Sequence, residues 1–144
     1  MKREEVWILL GRTEILKKIT EIMSSAEKTV EILTTENGLI LFYRMYNVFL
    51  DKLGKNGIKI QISALLSPKN QSIAQELSYV SKIKHFETPC PILLVKVDHN
   101  KLLLAFLIPD DYESSSDKDI GMFCRRSYLC SLTTHLFSGF MNLN

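Results

Sequence analysis

An excess of charge of either sign is missing from this sequence. Lys plus Arg total 18 against 16 for Asp plus Glu, a formal net charge of +2 over 144 residues. So close a balance supplies no strong pull toward nucleic acid or an anionic bilayer. The basic residues are also dispersed; Lys52, Lys55 and Lys59 come nearest to a cluster, and they bracket a turn. Cysteine is scarce. Cys90, Cys124 and Cys130 form no CxxC or CxxH pair, and an odd number without a secretion signal points to reduced thiols packed as small hydrophobes. Long apolar runs are absent too. The apolar part of "MKREEVWILLG" is too short for a secretion signal. The longest apolar-rich run, "LILFYRMYNVFL" (39–50), is broken by Arg44 and Asn47 and falls short of a bilayer span. A cytoplasmic protein without membrane contact is expected. His85, His99 and His135 lie far apart, and Cys130 and His135, five positions apart, do not share a helix face. No metal and no cofactor are expected.

What is present is ordinary folded-domain composition, 46% hydrophobic and 24% charged, in a chain long enough for one core. A single domain over 6–144 is expected. "VWILL" (6–10) reads as a buried strand ending at Gly11. "RTEILKKITEIMSSA" (12–26) places Ile15, Leu16, Ile19, Ile22 and Met23 at helical spacing, with Thr13 as a candidate cap. "KTVEILTT" (28–35) is a second strand. "ENGLILFYRMYNVFLDKLGKNG" (36–57) is a long helix, with Asn37 a candidate N-cap and Gly54 or Gly57 its stop. "IKIQISALL" (58–66) alternates as a strand with one wetter face, and "NQSIAQELSYVSK" (70–82) is a shorter helix. "IKHFE" (83–87) reads as an edge strand. "ILLVKVD" (92–98) and "KLLLAFLI" (101–108) read as a hairpin turning at Asp98-His99-Asn100. "PDDYESSSDKD" (109–119) is a surface loop, "IGMFC" (120–124) a strand, and 125–144 a closing helix through Leu129, Leu132, Leu136 and Phe137. Arg125-Arg126 would open that helix as a solvated turn. The early alternation of strand and helix implies parallel strands with crossover helices. The expectation is an α/β domain: a mixed, mostly parallel sheet with helices on both faces.

His99-Asn100-Lys101 resembles the H-x-K that opens a phospholipase D-type half-site, in which four further residues lead to an orienting Asp. Counted from His99, that Asp position falls on Phe106, which cannot orient an imidazole. Counted back from Asp98, the His and Lys positions fall on Pro91 and Leu93. Neither frame assembles nucleophile, phosphate clamp and acid, and His99-Asn100-Lys101 reads as turn chemistry.

"VWILLGRTEILKKITEIMSSAEKTVEILTT" resembles the opening of the regulatory domain of TrmB-like archaeal transcription regulators. Trp7, Gly11, Arg12, Ile15, Ala26 and Val30 carry the resemblance. "LDKLGKNGIKIQI" and "IGMFCRRSYLCSLTTHLFSGF" are similar to later parts of that domain. The resemblance covers 6–140 and rests on order and spacing. It implies a phospholipase D-like fold without catalysis, a homodimer, and DNA contact only through a separate helix-turn-helix domain, which this sequence lacks before its first strand. The expected function is therefore ligand sensing, dimerisation or both within a transcription regulator, not an enzyme. The rivals are a divergent phosphodiesterase completed by dimerisation and a ligand-free interaction scaffold.

Open α/β sheets bind ligands beyond the carboxyl ends of parallel strands. Those ends here carry Thr34, Thr35, Glu36 and Asn37, and Ser67 and Lys69. Their hydroxyls, amide and helix N-terminus suit a small polar or anionic effector; the plainer reading is that they cap helix and turn. Phe42, Tyr43, Tyr46 and Phe49 fall at helical spacing and are candidates for a dimer interface, or else line a wholly internal helix.

Overall fold

The computed structural model describes residues 5–126 together with Tyr128, Ser131, Leu132, His135 and Leu136. The chain runs β1 (Glu5–Leu10), α1 (Arg12–Ser24), β2 (Thr29–Thr34), α2 (Glu36–Lys55), β3 (Lys59–Ala64), α3 (Gln71–Leu77), β4 (Lys82–His85), β5 (Ile92–Val97), β6 (Lys101–Phe106) and β7 (Ile120–Arg125). One seven-stranded sheet has the order β1-β7-β6-β5-β2-β3-β4.

The sheet is mixed. β2, β3 and β4 pair in parallel, and the other four ladders are antiparallel. Five strands share one direction, and β5 and β7 run against them. The expected parallel core is confined to β2–β4. β1 does not lie beside β2, because β5, β6 and β7 fold back and insert between them.

This order overturns the reading of β1 as a buried strand. It is an edge strand, and Val6, Trp7, Ile8 and Leu10 are all exposed. The fully buried strand is β5, which sits centrally and is buried at every residue. Its neighbours cover both edges, so its near-continuous apolar run is what its position requires.

Each connection β1–α1–β2, β2–α2–β3 and β3–α3–β4 steps the same way across the sheet. Crossovers of one hand then place all three helices on one face. Buried side chains of α1, α2 and α3 share one core with Val30 and Ile32 of β2, Ile60 and Ile62 of β3, and Leu93 and Val95 of β5. The opposite face carries Leu33, Ile92, Leu94, Leu102 and Cys124. The expected closing helix is described at five helical positions, of which Leu132 and Leu136 are exposed; Leu129 and Phe137 lie outside the described residues. Arg125 ends β7 instead of opening a helix.

Local chemistry explains the element ends. Gly11, at φ 88°, is the N-cap of α1, whereas Thr13 lies exposed within its first turn and does not cap it. Thr35, not Asn37, caps α2: its Oγ1 accepts from the Gly38 N–H at 3.0 Å. α2 ends in a Schellman arrangement. The Ile58 N–H donates to Leu53 O and the Gly57 N–H to Gly54 O, both at 3.1 Å, and Gly57 supplies the φ of 86° that this requires. The β5–β6 hairpin turns through Asp98, His99 and Asn100, with the Asn100 N–H donating to Val97 O at 3.2 Å. Asp98 and His99 are left-handed, at φ 54° and 61°, a conformation that short polar side chains in turns tolerate.

A cleft at the N-terminus of α2

The two predicted ligand-binding segments meet at the carboxyl ends of β2 and β3. Lys69 Nζ donates to Asn37 Oδ1 at 2.5 Å and lies 3.8 Å from Glu36 Oε1. Asn70 joins the segments from beneath. It is wholly buried, its Nδ2 donates to Leu65 O at 3.0 Å and Glu36 O at 3.3 Å, and its Oδ1 accepts from the Ser67 N–H at 3.0 Å. Sequence reasoning placed Asn70 only at a helix start. An amide just before a helix was the one available signal, and it carried no hint of the span to Glu36.

A third segment completes the site. Thr35 Oγ1 donates to Asp110 Oδ1 and Asn37 Nδ2 to Asp110 O, each at 2.8 Å. Tyr112, two residues on, stacks under Arg44 at 4.5 Å and lies 5.3 Å from Lys69 Nζ. The 109–119 loop, expected to lie on the surface, is thus fastened across the start of α2. Beside it opens a cleft of about 340 Å³, bounded by Thr35, Glu36, Asn37, Glu87, Cys90, Pro91 and Asp110.

The candidate residues divide by placement. Thr35, Glu36 and Asn37 line the cleft, and Lys69 braces Asn37 from outside it. Thr34 is withdrawn from any ligand: it is wholly buried, and its hydroxyl donates to Ile92 O at 2.9 Å. Ser67 serves its own turn, its Oγ accepting from the Lys69 N–H at 3.1 Å, and borders a separate groove between α3 and β4. Cys90 is exposed at the cleft and departs from the expectation of packed thiols; Cys124 is buried as expected.

The proposed interface on α2 is corrected by burial. Phe42 and Tyr46 are inside the core and pack on each other at a centroid distance of 4.7 Å. Tyr46 donates its hydroxyl to Leu16 O at 2.7 Å, and burial pushes the phenol pKa up to about 12, against the lowering effect of a hydrogen bond with Thr20. Tyr43 and Phe49 are half-buried against the same core. An aromatic stripe at helical spacing is an inward face here, because a helix laid on a sheet buries its most apolar side. The exposed apolar residues of α2 are Met45 and Val48.

The phospholipase D-like frame is spread along β5. Pro91 stands at the cleft, and Leu93 is wholly buried in the core. His99 lies at the opposite end of the strand, about 20 Å away by strand rise, and its Nδ1 is 3.9 Å from Glu31 Oε1. Lys101 Nζ donates to Ser25 Oγ at 2.9 Å. Asp98 orients no imidazole. Its carboxylate accepts from the N–H groups of Glu27, Lys28 and Thr29 at 2.8–2.9 Å. Desolvation works to raise its pKa, but those three donors and the charge of Lys101 outweigh it and hold the acid below its ordinary value.

The arrangement is that of the phospholipase D fold, and solved structures share it over nearly the whole chain. The chain is similar to NucT from Helicobacter pylori, with a TM-score of 0.73 at 9% identity, covering 96% of each chain. It is similar to Nuc from Salmonella typhimurium, a phospholipase D family member, with a TM-score of 0.63 at 11% identity, covering 96% of this chain and 95% of that one. It is also similar to TrmBL2, an archaeal chromatin protein with a novel mode of DNA binding, with a TM-score of 0.68 at 15% identity. That match covers 97% of this chain and spans about half, 52%, of TrmBL2. No protein-family model and no curated protein matches the sequence. Among the described residues no helix is long and apolar enough to cross a membrane, and no group of His, Cys, Asp and Glu side chains is arranged to hold a metal ion.

Proposed function

We propose that this chain is the non-catalytic effector domain of a TrmB-like transcription regulator, binding a small polar ligand in the cleft at the start of α2 and associating as a homodimer. The observation that carries the reading is Pro91 at the cleft with Leu93 sealed in the core. In the frame that ends on Asp98, these are the positions where a phosphodiesterase needs its imidazole and its ammonium group. The sequence's nearest histidine frame lies at the far end of β5. The likeness to TrmBL2 supports the same reading, and DNA contact would then belong to a separate domain.

The lining favours a polar ligand over an anionic one. Glu36, Glu87 and Asp110 border the cleft, and Lys69 is engaged with Asn37 and Glu36 at its margin. Three carboxylates beside amide and hydroxyl groups suit a neutral polyol or a ligand with cationic groups better than a phosphate, which they would repel.

A thermal-shift screen of sugars, nucleotides, amines and inorganic anions tests the ligand. A binder raises Tm progressively with concentration, and Asn37→Ala removes the shift. A bis-phosphodiester hydrolysis assay tests the absence of catalysis. Turnover lost in His99→Ala establishes the phosphodiesterase reading, to which the NucT and Nuc likenesses lend their fold, and ends this one. A protein that neither binds nor cleaves is the plain scaffold.

A further inference from the structure

The two edges of the sheet are unlike. β4 is four residues long, and three of them are Lys82, Lys84 and His85. A short, charged edge resists pairing with another strand. β1 has none of those guards between Val6 and Leu10. It is apolar throughout that stretch, has no proline, and pairs with β7 in unbroken register from Glu5↔Arg125 to Leu10↔Ile120, with no bulge to turn it aside. Among the described residues its outer side meets no strand.

Its exposure is two-sided. Val6, Ile8 and Leu10 point to the face away from the helices, with exposures of 39%, 68% and 68%. Trp7 points to the helix face, stacks on Phe123 at 5.3 Å with Lys18 Nζ 5.6 Å from its ring, and still remains 42% exposed. A partner lying on one face of the sheet would cover only one of these sets. A strand laid alongside β1 covers both and satisfies its outward N–H and C=O groups.

We infer that β1 is the contact through which two copies of this chain associate, pairing β1 with β1 antiparallel about a two-fold axis at Ile8. The strand is self-complementary under that operation: Ile8 meets Ile8, Trp7 meets Leu9 and Val6 meets Leu10, as a two-fold interface demands. The area is in range. At about 150–250 Å² per large side chain, the exposed parts of Val6, Trp7, Ile8 and Leu10 offer on the order of 400 Å² per copy. The main chain of a six-residue edge brings this toward the ~800 Å² per partner of a specific interface. Association stops at two copies, since pairing consumes both β1 edges and both β4 edges are guarded.

The inference gives the dimerisation half of the proposed function its surface and is independent of the ligand. Sedimentation velocity on the full chain across a dilution series is the test, with Trp7, the single tryptophan, as an internal reporter. The expected result is a dimer whose tryptophan emission shifts to the blue as it forms. Ile8→Lys and Leu10→Lys each give a monomer with an unchanged far-UV spectrum, and Val48→Lys, on the exposed side of α2, leaves the dimer intact. A wild-type chain that stays monomeric defeats both this surface and the dimerisation reading. A dimer that survives both β1 substitutions, or one lost in Val48→Lys, defeats this surface alone. Larger, open-ended assemblies overturn the two-fold arrangement.

Discussion

Arg12 and Asp119, separated by 107 positions, make a two-point ion pair inside the protein: Nε donates to Oδ2 at 2.7 Å and Nη2 to Oδ1 at 3.1 Å. Both side chains are wholly out of solvent. The same guanidinium donates to Asp111 and to the carbonyls of Pro109 and Glu113, while Asp119 Oδ1 accepts from the Ile108 N–H at 2.7 Å. One buried arginine thus folds the 109–119 loop around itself and holds Asp110 against Thr35 and Asn37. The fork geometry of Arg suits this task, and Lys could not reproduce it.

Removing either partner leaves a buried charge without its counterpart. Arg12→Ala and Asp119→Ala are each expected to lower the unfolding free energy by about 3–5 kcal/mol, read as a drop in urea midpoint. Arg12→Lys recovers only part of the loss. In all three, limited proteolysis cuts first within 109–119.

Gly38 tolerates no side chain. A Cβ there would stand 1.9 Å from Thr34 Oγ1 and 3.0 Å from Thr34 Cβ. Despite alanine's better helix propensity, Gly38→Ala should destabilise by about 1–3 kcal/mol through overpacking. Thr34→Ala added to it recovers part of that, because the hydroxyl causes the worst clash. Chemical denaturation of the two single variants and the double variant measures the coupling.

Tyr46→Phe keeps the packing on Phe42 and loses the hydroxyl with its hydrogen bonds to Leu16 O and with Thr20. A loss of about 0.5–1.5 kcal/mol is expected, against about 3–5 kcal/mol for Tyr46→Ala, which empties the site. Sedimentation of Tyr46→Phe should match wild type, since the residue is internal; a changed oligomeric state would revive α2 as an interface.

Asp98 and Asp111 both have pKa values held below the ordinary carboxylate value, the second chiefly by its hydrogen bond with Arg12. The unfolded chain therefore binds their protons more readily than the native one. Stability from these groups is present above the ordinary value of about 3.9 and is lost as pH falls through the lowered folded values. Urea midpoints followed from neutral pH downward should show this acid limb, and Asp98→Asn should flatten part of it.

Several elements were legible because their causes are local. The β5–β6 hairpin is announced by Asp98-His99-Asn100 between two apolar runs. α1 is written in the spacing of Ile15, Ile19, Ile22 and Met23, and the end of α2 in Gly57. The cleft was half legible: Thr35, Glu36 and Asn37 follow a parallel strand, where such folds open. Asp110 and Asn70 were not, since each is tied to the start of α2 by partners 34 or more positions away.

The amino-acid sequence by itself determined the inventory of this protein: seven strand segments, their helices, the hairpin, and a β5 frame with Pro91 and Leu93 in place of reactive side chains. Those follow from propensity, periodicity and residue chemistry, which act over a few positions. Only the tertiary structure decided which strand lies at the edge, that Phe42 and Tyr46 face inward, and that Arg12 reaches Asp119. "VWILL" has the same pattern whether central or peripheral, because an apolar run reports affinity for burial and not the strands that arrive to provide it. Three later strands inserted between β1 and β2, and that single topological event left Ile8 and Trp7 in the open.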